Sequence, residues 1–71
     1  MPRQARFEER VALELTDGSV RPVEPGLCWI DEEGGDARLT WRQAGQEDSV
    51  TVRHDIVARH LGSGDFVYTS W

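Results

Sequence analysis

Between Arg38 and Ile56 apolar and polar residues alternate twice along the chain. Leu39 and Trp41 fall on one side of the run Arg38-Leu39-Thr40-Trp41-Arg42. Val50, Val52 and Ile56 do the same in Ser49-Val50-Thr51-Val52-Arg53-His54-Asp55-Ile56, beyond a polar turn at Ala44-Gly45-Gln46-Glu47-Asp48. Strand side chains point to opposite faces in turn, so the pattern predicts a half-buried antiparallel hairpin. Its second face carries Arg38, Thr40, Arg42, Thr51 and Arg53.

The rest of the chain reads as strands added to this hairpin. Residues 1–5 are polar and predict a loose tail. Phe7, Val11 and Leu15 lie four apart, as on a helix, but Val11, Leu13 and Leu15 also alternate. Asp17-Gly18 favours the second pattern, because such a dipeptide closes a two-residue hairpin with positive φ at both positions. A strand over about 9–16 and a return strand over 19–24 follow, the latter short or on an edge because Pro22 has no N–H to donate. Pro25-Gly26 fits a type II turn. Leu27-Cys28-Trp29-Ile30 is a continuous apolar run and predicts a short buried strand. Asp31, Glu32, Glu33 and Asp36 around Gly34-Gly35 predict an exposed, flexible hairpin loop. Near 55–61 one helical turn is expected, with Asp55 as N-cap and Gly62 as stop. Phe66 to Trp71 reads as a last strand.

Five short antiparallel strands joined by tight turns, with one helical turn before the last, predict an all-β small barrel of the SH3-like or Sm-like kind. Closure would remove the exposed edges of so small a sheet. The 71 residues make a single domain. A core of this size supplies little more than ~3–5 kcal/mol, so a second copy of the chain, as a homo-oligomer, is one way to supplement it.

Composition narrows the function. Thirteen Asp and Glu against eight Arg, with no Lys, give a net charge of −5. That balance disfavours nucleic acid, whose affinity comes largely from phosphate neutralisation. Cys28 is the only cysteine, which excludes an internal disulfide and fits a reducing compartment. With no leader-like or membrane-spanning apolar run, the chain reads as a cytoplasmic protein without membrane contact.

No residues carry chemistry at a diagnostic spacing. His54, His60, Cys28 and Asp55 match no structural zinc pattern, and Cys28 lies in an apolar run where cysteines are usually inert. No catalytic residue, metal or cofactor is therefore assigned, and the protein reads as a non-enzyme. Two surfaces remain. The acidic loop, Asp31, Glu32, Glu33 and Asp36, suits a basic protein partner, although such a loop also serves simply to keep a chain soluble. The alternative is an oligonucleotide-binding face built from Arg38, Arg42, Arg53 and Trp71, with Arg for phosphate and Trp for base stacking.

The segment Val11-Ala12-Leu13-Glu14-Leu15-Thr16-Asp17-Gly18, followed at a distance by Val50-Thr51-Val52-Arg53-His54-Asp55-Ile56, resembles the Sm-like barrel of the small bacterial Rho-inhibitor (Rof) family. The likeness spans about residues 11–71. It implies an acidic inhibitor that covers the RNA-binding surface of a transcription termination factor, Rho. Together these readings predict a small acidic protein-binding regulator or inhibitor.

Overall fold

The structure is a computed structural model and describes residues 2–69. It is mostly β, with strands β1 (Arg3–Phe7), β2 (Val11–Glu14), β3 (Val20–Val23), β4 (Gly26–Glu33), β5 (Asp36–Gln43) and β6 (Gln46–Arg53), then helix α1 (His54–Ser63) and strand β7 (Phe66–Tyr68). Five strands form one antiparallel sheet in the order β6-β5-β4-β1-β7, and β2-β3 is a separate two-stranded ribbon. The sheets are open, where the sequence had predicted a closed barrel. The ribbon pairs with itself, and its loop reaches β6 through a backbone hydrogen bond from Thr16 N–H to Thr51 O at 3.1 Å.

One face of the large sheet holds the core. Ala5 and Phe7, Cys28 and Ile30, Ala37, Leu39 and Trp41, Val50 and Val52, and Phe66 are all buried and share the inner side by register. Val11, Leu13 and Val23 of the ribbon, with Ile56 and Val57 of α1, complete the cluster. The ribbon and helix therefore cover only the inner side of the sheet.

Several elements differ from expectation for physical reasons. Arg3, Gln4 and Ala5, expected in a loose tail, open β1, which lies between β4 and β7. Arg3 to Phe7 pair with Ile30 to Gly26, and Thr69 N–H donates to Gln4 O at 3.0 Å. Asp31, Glu32 and Glu33 are strand residues, in register with Arg38, Ala37 and Asp36, so the turn shrinks to Gly34-Gly35. Gly26 likewise begins β4 instead of ending a turn.

The Asp17-Gly18 turn is a three-residue loop. Gly18 N–H donates to Leu15 O at 3.0 Å and Leu15 N–H to Ser19 O at 2.8 Å, and Gly18 alone takes positive φ there. Asp17 spans the turn, accepting from Ser19 N–H at 2.9 Å and Ser19 Oγ at 2.6 Å, which holds its carboxyl below the usual range.

The two-residue turn with both φ positive occurs at Ala44-Gly45 instead (+53° and +78°). The helix is longer than one turn. It runs through Gly62 and stops at Gly64, whose φ of +86° lets its N–H reach both His60 O and Leu61 O. Arg53, and not Asp55, occupies the N-cap position; Asp55 sits in the first turn, where a carboxylate complements the helix dipole.

Candidate functional site

Because the ribbon and α1 lie on one side, the outer side of the five-stranded sheet is open among the described residues. Register lays its residues out in rows across the strands. The first row runs Glu47, Arg42, Leu27, Arg6, Val67, and the second Ser49, Thr40, Trp29, Gln4. The third is Thr51, Arg38, Asp31, and the fourth Arg53, Asp36, Glu33.

Leu27 is 45% exposed and Trp29 43%, large apolar groups near the centre of the sheet facing away from the core. A shallow groove of about 670 Å³ lies here, lined by Pro2, Trp29, Asp31, Arg38, Thr40, Trp41, Arg42 and Glu47. Arg38 Nη2 donates to Ser49 Oγ at 3.3 Å. Among the described residues Arg42, Asp36 and Glu47 make no ion pair, although Arg42 and Glu47 are cross-strand neighbours.

The acidic cluster and the arginine surface are thus not separate. Asp31, Glu33 and Asp36 stand on the same outer face as Arg38, Arg42 and Arg53, and Asp31 lies directly beside Arg38. Glu32 alone points to the other side, with Oε2 3.7 Å from His54 Nε2. Around it, the Arg3 guanidinium stacks 3.9 Å over the Tyr68 ring. The Tyr68 hydroxyl pKa is raised, first by burial and then by Glu32. Trp71, expected on the binding face, lies outside the described residues.

Trp29 could be read from the sequence as a stacking platform, but Leu27, Arg6 and Glu47 could not be assigned to this face. The signal was present in Leu27/Trp29 alternating with Cys28/Ile30, but a four-residue apolar run hides which half is covered.

Cys28 is fully buried, and desolvation pushes its thiol pKa up to about 12, so it is a packing residue and no ready nucleophile. Ser63, His60 and Asp65 do meet, but not as nucleophile and base. Ser63 Oγ donates to Asp65 Oδ2 at 2.9 Å, and His60 Nδ1 lies 3.2 Å from the same oxygen. Two partners on one carboxylate hold the Asp65 pKa down and tie the end of α1 to the start of β7. Among the described residues no three His, Cys, Asp or Glu side chains converge as metal ligands, and no helix is long and apolar enough to cross a membrane. No protein-family model, curated protein or solved structure matches this chain.

Proposed function

We propose that the protein is a protein-binding regulator that acts by docking, and that its docking surface is the outer face of the five-stranded sheet. The observation that carries this reading is the pair Leu27 and Trp29, exposed near the middle of a sheet face that the other described elements leave bare. An aromatic and an aliphatic anchor, surrounded by Arg, Thr and carboxylates, is the usual make-up of an interface centre and rim. Arg6, Arg38, Arg42 and Arg53 are matched on this face by Asp31, Glu33, Asp36 and Glu47. Such balance suits a protein surface of mixed charge better than a polyanion.

A second reading, oligonucleotide binding, draws on Trp29 standing in the row between those of Arg38 and Arg42. Titration of the intrinsic Trp fluorescence with single-stranded RNA separates the two. Micromolar binding that falls steeply with salt would favour nucleic acid.

Retention of proteins from a lysate of the source organism, by the wild type and by Trp29→Ala, tests docking itself. Truncating a central anchor costs about 2 kcal/mol or more, roughly thirtyfold in affinity, so bound proteins should be lost. Retention that survives Trp29→Ala, but not neutralisation of Glu32 on the other side, would move the docking surface elsewhere. Rho among the proteins lost with Trp29→Ala would carry the inhibitor reading implied by the Rof resemblance.

A further inference from the structure

The outer face has a charge pattern that fits itself. Along β5, Arg42 stands near one end and Asp36 at the other, and along β6 Glu47 and Arg53 stand at opposite ends with the opposite polarity. Two such faces centred on β4 can meet about a two-fold axis along the strands or across them. An axis parallel to the strands, along β4, lays β5 over β1 and sets Arg42 against Arg6.

An axis perpendicular to the strands, between the Trp29 row and the Arg38 row, lays each strand over its own copy in reverse. Arg42 then meets Asp36 of the partner, and Glu47 meets Arg53 of the partner, each pair occurring twice. The two Trp29 side chains fall on adjacent rows of the same strand, within reach of offset stacking.

We infer that the outer face binds a second copy of this chain in that antiparallel, face-to-face arrangement. The inference rests on the outer face being the docking surface. A two-fold interface must be self-complementary, and the axis across the strands satisfies both charge columns while keeping β4 and Trp29 central, whereas an axis along β4 sets Arg42 against Arg6. Arg42, Asp36 and Glu47, which make no ion pair among the described residues of their own chain, gain partners there.

The three eight-residue strands β4, β5 and β6, about 26 Å long and together about 14 Å wide, offer roughly 370 Å² of flat face. Two such faces fall below the range of stable interfaces, so the dimer is weak and transient, with a Kd on the order of 100 μM that rises with salt.

Sedimentation velocity across a concentration series, on the wild type, Arg42→Asp, Asp36→Arg and a 1:1 mixture of the two variants, tests this. Each variant alone places like charges together twice, and its association should weaken by about tenfold or more. The mixture restores opposite charges at both sites, so it should associate within about threefold of the wild type. Residues 36 and 42 lie roughly 20 Å apart on one strand, too far for rescue within a chain.

Far-ultraviolet circular dichroism checks that each variant is folded. If either is not, Glu47→Arg and Arg53→Glu provide the same complementation on β6. A wild type that stays monomeric to about millimolar, variants that associate as well as the wild type, or a mixture that fails to recover each overturn the inference. A monomeric chain that still loses lysate proteins on Trp29→Ala would overturn the self-association alone and leave the docking surface standing.

Discussion

Phe7→Ala puts the placement of the N-terminal strand to a quantitative test. Phe7 is 2% exposed, pairs in register with Gly26 on β4 and Phe66 on β7, and its ring centroid lies 5.0 Å from that of Phe66. Removing a buried phenyl ring costs about 3–5 kcal/mol, through lost transfer energy and the cavity left behind. A core of this length supplies a total of only about 3–5 kcal/mol. The variant should therefore be largely unfolded at 25 °C.

Arg10→Ala is the control, since Arg10 and Glu24 pair at 3.4 Å with both side chains more than half exposed, and such pairs contribute under about 1 kcal/mol. Urea unfolding followed by Trp fluorescence and by far-ultraviolet circular dichroism gives both values. A Phe7→Ala protein within about 1 kcal/mol of the wild type would mean that β1 does not belong to the core, and the sheet order would be wrong.

Three further outcomes follow from local geometry. Asp65 is held below the usual carboxylate range by His60 and then Ser63, so its contribution is complete above the unfolded carboxylate pKa and is lost as pH falls through the folded value. Thermal melts of the wild type and Asp65→Asn should therefore differ at neutral pH and converge below about pH 4, and a gap that widens on acidification would refute this assignment. Cys28, buried and with its pKa pushed up to about 12, should resist alkylation in the folded protein and react once denaturant is added; rapid native labelling would contradict its placement. Ala44 holds φ of +53° in the β5–β6 turn, where a side chain with a Cβ is disfavoured and Asn is tolerated. Ala44→Asn should raise stability by about 0.5–1 kcal/mol in urea unfolding, and a loss would mean the turn differs from the one described.

Strands flanked by polar alternation could be read directly. β5 and β6 follow from Leu39/Trp41 and Val50/Val52, and β2 from Val11/Leu13, because each buries one face and wets the other. β1 escaped because its buried positions are Ala5 and Phe7, one of them too small to stand out, and because Phe7, Val11 and Leu15 share a helical spacing. The acidic residues after Ile30 looked like a loop by composition. Backbone pairing with β5 outweighed that preference, since an exposed strand face accepts carboxylates, here with Arg38 beside Asp31. The open outer face was the hardest to see. Leu27-Cys28-Trp29-Ile30 would be a fully buried strand in a sheet covered on both sides, but the ribbon and α1 cover only one side, so every second residue faces outward. Barrel closure failed to appear for a related reason: the β2-β3 ribbon lies over the core and does not continue the sheet.

The central claim is that the bare outer face of the sheet docks protein, first of all a second copy of the chain. Proton–nitrogen spectra of labelled protein, recorded as unlabelled protein is added from about 10 μM to about 1 mM, test it most directly. The Trp29 indole N–H and the amides of Arg38, Thr40 and Arg42 should shift together along one binding curve. The amides of Leu13 and Val23 in the ribbon, which lies on the inner side, should stay in place, as should those of α1. Shifts centred on α1 or on exposed Val20 of the ribbon, or spectra that do not change with concentration, would contradict the account.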